Sequence, residues 1–262
     1  MLVARLFVAV PLLAAVLAML WLGPSWLWEA ATFVAAVIAL WEWGRLFGFA
    51  GRKAVVFVGL SAVFMILGRI IIDGNEQAAS ALFGTVCLFW VFVAPVLIVS
   101  ERARQKTAFC ALGMILIFAT WHSASILFDD VYTLAAALVI VCLTDSGAYL
   151  VGRQWGKTKM APNISPGKTV EGLLGGVGLS LFLAYCVAPM FFYTQPITAL
   201  VAAAFALAML SVLGDLFESA IKRRFNAKDS GGVLGAHGGV LDRMDSMLPT
   251  LPFAALLSPW LT

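Results

Sequence analysis

Nine runs of about 20 apolar residues, each close to the length a helix needs to cross a bilayer, dominate this chain. They fall at roughly 2–22, 25–44, 54–72, 79–99, 107–128, 131–151, 170–192, 197–217 and 244–261. Most are apolar on every face, as expected for helices bathed in lipid. Composition agrees. The chain is 62% hydrophobic and 12% charged, whereas a soluble domain carries about 25% charged residues. A soluble core of 262 residues could not hide this much apolar surface. The expected fold class is an all-α polytopic integral membrane protein with about nine transmembrane helices, forming a single membrane-embedded domain over 1–262. The first run has one basic residue and no obvious small-residue cleavage site, so it reads as a retained helix rather than a signal peptide.

The basic residues give direction. Arg45, Arg52 and Lys53 fall between runs two and three, and Arg102, Arg104 and Lys106 between four and five. Arg153, Lys157, Lys159 and Lys168 fall between six and seven. Lys222, Arg223, Arg224, Lys228 and Arg243 fall between eight and nine or at its margins. With Arg5, these are all the Lys and Arg residues except Arg69. The positive-inside rule then puts the even-numbered loops and the N-terminus in the cytoplasm and the C-terminus outside. The net charge of +3 is too small to suggest nucleic-acid binding. Cys87, Cys110, Cys142 and Cys186 lie singly in apolar stretches, which argues against zinc or redox chemistry.

Two cytoplasmic stretches are long and rich in Gly and charge: residues 144–176 and 214–246. In the second, Asp215, Ser219 and Lys222 are spaced to share one face of a helix. Asp242 and Asp245 would share a face where run nine begins. A carboxylate such as Asp215 at a membrane boundary is costly unless paired, neutralised or bound to a cation. Carboxylates on neighbouring helices can hold a hard divalent cation through oxygen ligands. Lys222, Arg223, Arg224 and Lys228 supply positive charge for phosphate oxygens. Gly231, Gly232, Gly238 and Gly239, with His237 between them, allow backbone N–H groups to approach an anion. Together these point to a polyphosphate substrate. The first stretch adds Asp145, then Ser165, Lys168, Thr169 and Glu171 as phosphate or headgroup contacts. Its GK-T element is not a P-loop: the residue five before Gly167 is Pro162, not Gly.

Residues 219–245 carry a serine, a KR pair, a KD pair, HGG and DRxD at fixed spacings: SAIKRRFNAKDSGGVLGAHGGVLDRMD. This run resembles the signature of the phosphatidate cytidylyltransferases, or CDP-diacylglycerol synthases. DSGAYLVGRQWGK, ISPGKTVEG and the early WEWGRL element resemble the same family. The resemblance implies a nucleotidyltransferase that converts CTP and phosphatidate to CDP-diacylglycerol and pyrophosphate. It implies a magnesium requirement, with Asp215 and Asp242 as the metal carboxylates and Lys222 assisting with phosphate. A second cation stays open. Asp245 joins the catalytic set. Asp145, Ser165, Lys168, Glu171, Ser219, Arg223, Lys228, Asp229, His237, Gly238, Gly239 and Arg243 are expected to contact substrate. The short form suggests a bacterial cell membrane, with the lipid bilayer as immediate partner. A homodimer is an expectation from the frequency of dimers among membrane enzymes.

Two other readings compete. A secondary transporter for an anion would also carry intramembrane charge, but its polar groups would not all gather on one side. A nucleotide-using enzyme acting on an isoprenoid lipid would need the same metal and phosphate groups. Among the remaining polar residues, Glu42 and Arg45 are spaced to pair with each other. Arg69 is expected to snorkel to the outer interface, His122 to bond across helices, and Asp129 and Asp130 to sit in a solvated outer loop.

Overall fold

A computed structural model describes residues 16, 18–100, 105–231, 233 and 238–261. Arg5, Arg102, Arg104, Gly232, His237 and most of the first apolar run lie outside the described residues. The described chain is mostly helical. Its helices are α1 (Ser25–Leu46), α2 (Arg52–Ile72), α3 (Glu76–Leu88), α4 (Ala94–Val99), α5 (Lys106–Ile126), α6 (Val131–Trp155), α7 (Val170–Val187), α8 (Ile197–Arg224), α9 (Leu241–Met244) and α10 (Met247–Leu261). Between α3 and α4 a π-helical stretch, Phe89–Val93, carries the chain up to Pro95. Pro95 has no N–H to donate and its ring crowds the preceding turn, so the wider turn there relieves the helix.

Six helical segments among the described residues are long and apolar enough to cross a membrane: Arg52–Ile72, Glu76–Val99, Lys106–Ile126, Val131–Trp155, Val170–Met190 and Ile197–Arg224. Each coincides with an apolar run of the sequence. The chain is thus an integral membrane protein by helix length and apolarity. The run at 25–44 forms α1, but α1 carries Glu29, Glu42 and Arg45 and is not among the six. The last run forms α10, and the short α9 lies just before it. The 15 residues of α10 extend about 22 Å at 1.5 Å per residue.

Helices α6 and α7 pack closely, and small residues make it so. Thr144, Ala148 and Gly152 recur every fourth residue on α6, and Gly172, Gly176 and Ser180 do so on α7. A Cβ added at Gly176 would meet the Thr144 carbonyl at 2.3 Å, and one at Gly172 would meet the Ala148 carbonyl at 2.7 Å. The backbones therefore touch, as helices do in lipid when small residues line the seam. The Thr144 and Ser180 hydroxyls share a hydrogen bond of 2.9 Å within it. Gly214 plays the same part between α8 and α10, where an added Cβ would sit 2.3 Å from the Asp245 carbonyl.

Two apolar clusters fill the bundle. One gathers Trp43, Phe47, Trp90, Phe118, Phe217 and Ile221. The other gathers Leu134, Leu138, Leu207, Ala208, Leu251 and Ala254. Near the first, Arg224 fastens the C-terminal ends of α8 and α4, donating from Nη2 to the Leu97 and Ser100 carbonyls.

Three sequence expectations, for residues 159–169, Glu42 and His122, give way. Residues 159–169, read as loop, form an antiparallel hairpin of β1 (Lys159–Ala161) and β2 (Ser165–Thr169). Glu42 does not pair with Arg45: Arg45 is exposed, whereas Glu42 is fully buried and turned to the opposite end of the sequence. Arg69 bonds Glu29 at 2.6 Å and lies over the Trp121 ring. His122 stacks on Phe118, and neither ring nitrogen has a hydrogen-bond partner among the described residues. Asp130 caps α6 by accepting from the Thr133 N–H and takes a hydrogen bond from Ser258.

Candidate active site

The two charged stretches meet at one end of the bundle. The C-terminal ends of α6 and α8 arrive there, with the N-terminal ends of α7 and α10, the hairpin, and α9. Antiparallel neighbours joined by the hairpin and the glycine-rich loop dictate this gathering. The predicted face of α8 forms as the spacing requires. Ser219 donates to Asp215 Oδ1 at 3.3 Å. Lys222 lies on the same side and has a side chain only 12% exposed.

Two lysines organise the site through three ion pairs. Lys168 on β2 reaches Asp215 Oδ2 on α8 at 2.6 Å. Lys222 lies between two carboxylates, 2.6 Å from Glu218 Oε2 and 2.7 Å from Asp242 Oδ1. Asp242 also accepts from the backbone N–H of Gly239 at 2.8 Å and of Ser230 at 3.2 Å. Burial alone would push the Asp242 carboxyl up, but the bonds from Lys222 and Gly239 outweigh it and hold the group below its ordinary value. Gly238 has φ of 83°. An L side chain there is strained, and an added Cβ would also crowd Asp242 Oδ2 at 2.8 Å.

Asp145, Asp215 and Asp245 come from three different segments and lie close enough to feel one another's charge. Asp245 is buried and accepts from the Ser246 N–H at 2.6 Å. Arg243, though exposed, contributes positive potential at Asp145. Among the described residues no group of three or more His, Cys, Asp or Glu side chains forms a ready-made metal centre. The donor chemistry nevertheless fits a hard cation. Asp215 and Asp242 are oxygen donors, and each holds an ammonium group as the positive charge at its carboxylate.

The other expected contacts divide. Glu171 turns its carboxylate to the backbone N–H groups of Lys157 and Thr158, at 3.0 and 3.1 Å, and so anchors the base of the hairpin. Arg223 donates to the Ile164 carbonyl at the hairpin tip, at 3.2 Å. Ser165 is half-buried on β2, and Lys228 and Asp229 are exposed beyond α8. His237 lies outside the described residues. Sequence reasoning passed over Glu218. Its signal was present: it lies one turn before Lys222 in α8, where an i, i+4 acid–base pair faces one side.

These features define a helical membrane protein with a cluster of paired lysines and carboxylates at one end of its bundle, where the hairpin and the glycine-rich loop meet. The chain belongs to the cytidylyltransferase family, whose model matches residues 3–260. It is similar to the phosphatidate cytidylyltransferase of Haemophilus influenzae, 30% identical over 97% of each chain. It is 39% identical to that of Bacillus subtilis, over 71% of this chain and 69% of the relative. It is also 38% identical to that of Staphylococcus haemolyticus, over 58% of this chain and 56% of the relative.

Proposed function

We propose that this protein is a phosphatidate cytidylyltransferase, joining CTP and phosphatidate to give CDP-diacylglycerol and pyrophosphate. The observation that carries the site assignment is the pair of lysine–carboxylate contacts, Lys168–Asp215 and Lys222–Asp242, at 2.6 and 2.7 Å. They bring the hairpin, α8 and α9 to one point beside the lipid helices.

A phosphate oxygen of phosphatidate attacks the α-phosphorus of CTP. The new P–O bond forms as the bond to the β-phosphate bridging oxygen breaks, and pyrophosphate leaves with that electron pair. The lipid phosphate is already anionic near neutral pH, so no strong general base is needed. The protein aligns the two substrates and neutralises their charge. Lys168, Lys222 and Arg223 offer positive charge to the phosphates, while Glu218 fixes the approach of Lys222. Magnesium held by Asp215 and Asp242 would supply further charge neutralisation on the triphosphate. Asp145 and Asp245, near Asp215, offer further carboxyl oxygens for a cation there.

The same reading places the even-numbered loops and the N-terminus in the cytoplasm and the C-terminus outside. It takes the chain as a single membrane-embedded domain with nine spans in a bacterial inner membrane. The distribution of Lys and Arg supports it. A homodimer is included on the frequency of dimers among membrane enzymes. Purified protein given magnesium, labelled CTP and either phosphatidate or an isoprenoid phosphate tests the substrate. Lipid-linked CMP and pyrophosphate with phosphatidate alone are the expected products. Product with the isoprenoid alone, or movement of an anion without chemistry, would overturn the assignment.

A further inference from the structure

Glu42 is a fully buried carboxylate in α1, far in sequence from both charged stretches. Its Oε2 accepts from the backbone N–H of Leu241 at 2.8 Å and from the Ser230 hydroxyl at 3.4 Å. A Cβ added at Gly231 would lie 2.2 Å from Oε1, and one at Gly239 would lie 2.5 Å from Oε2. The two glycines therefore admit this carboxylate between the strands of the loop. Glu42 and Asp242 hold the same loop: Glu42 takes the Leu241 N–H and the Ser230 hydroxyl, and Asp242 takes the N–H groups of Ser230 and Gly239. A buried carboxylate is costly, and the acceptor role offsets that cost only while these donors stay in place.

We infer that Glu42 is a positioning residue for the transfer reaction: it acts on the Ser230–Leu241 loop, and so sets Asp242 against Lys222. It touches neither substrate nor cation. The inference rests on the reading that Asp242 and Lys222 serve turnover. Leu241 is the first residue of α9 and Asp242 the second. The Leu241 N–H bond thus fixes the start of the short helix that aims Asp242. Without it, Asp242 loses its register with Lys222.

The test compares Glu42→Leu, which fills the space without an acceptor, with Glu42→Gln, which keeps one. Each is purified in detergent, checked for monodispersity, and assayed for CTP-dependent turnover across a magnesium titration. Folded Glu42→Leu should lose at least about tenfold in kcat, the range expected for losing a hydrogen bond to a charged group. Its half-saturating magnesium should rise. Glu42→Gln should stay within about threefold of the parent in both, having kept the acceptor. Normal turnover or normal magnesium dependence in folded Glu42→Leu overturns the inference, as does a Glu42→Gln as impaired as Glu42→Leu. If Glu42→Leu does not fold, Gly231→Ala replaces it. Folded Gly231→Ala should also need more magnesium, and Glu42→Asp in the same chain should restore part of the loss. An unchanged magnesium requirement in Gly231→Ala overturns the inference. Asp242→Asn separates the two levels: if it stays active, the active-site reading fails; if it is inactive while Glu42→Leu is normal, only the role of Glu42 fails.

Discussion

Lys168 on the hairpin and Asp215 within α8 form an ion pair of 2.6 Å, and this contact ties a β-strand to a membrane-spanning helix. Both side chains are partly exposed, so the pair itself adds little to stability. Its consequence is placement, because it brings an ammonium from one charged stretch to a carboxylate of the other.

Lys168→Gln should therefore lower turnover strongly and stability slightly. Loss of one charged contact to phosphate corresponds to roughly 10- to 150-fold in rate. Steady-state turnover and thermal melting in detergent measure the two effects. A variant that melts well below the parent yet turns over normally would assign Lys168 to folding alone.

Lys222 and Arg224 are two residues apart on α8 and should behave differently. Lys222 joins Glu218 and Asp242, whereas Arg224 holds the end of α4. Lys222→Met should abolish most turnover. Arg224→Ala should lower the melting temperature while leaving turnover per folded molecule near the parent. The pH dependence carries a sign. Asp242 is held below its ordinary value, so its ionised form contributes stability above the unfolded carboxylate value of about 3.9, lost as pH falls through the folded value. Removing the Lys222 charge lets the carboxyl rise, and the acid limb of residual turnover should move to higher pH. An unmoved limb would separate Asp242 from Lys222.

The seam between α6 and α7 distinguishes two glycines two residues apart on α7. At Gly176 an added Cβ meets backbone at 2.3 Å, whereas at Gly178 nothing lies within 4 Å. Gly176→Ala should destabilise by about 1–3 kcal/mol, the usual range for overpacking. Gly178→Ala should be neutral or slightly stabilising, since alanine is the better helix former. Equal melting temperatures for the two would contradict the close backbone contact.

The membrane direction can be read with single cysteines in a Cys-free chain. Cysteines at Lys159 and Ala227 should resist an impermeant external label in intact cells, and one at Gln195 should react. The reverse pattern would invert the topology and put the site out of reach of cytoplasmic CTP.

Much of the helical architecture was legible because lipid imposes a length and an all-round apolar surface on each span. The six long apolar helices coincide with runs visible in the sequence. Contacts at the candidate site were legible where partners lie on one helix, as with Asp215 and Ser219; the pairing of Lys222 with Asp242 across the glycine loop was not. What the sequence hid were contacts at long range. Helical spacing made Arg45 the natural partner of Glu42, but the glycine loop offers buried donors that Arg45, exposed at the helix end, does not. The hairpin was missed because its strands are too short to show an alternating pattern. The anchoring role of Glu171 depends on that hairpin and could not be seen before it.

The most direct test of the central claim is CTP-dependent turnover with phosphatidate across a magnesium titration, comparing the parent with Asp215→Asn, Asp242→Asn and the double variant. Each single change should abolish most turnover in a folded, monodisperse protein, and the double should be hardly worse, because residues acting as a unit are non-additive. Near-normal turnover with unchanged magnesium dependence in Asp242→Asn would contradict a shared site at these two carboxylates.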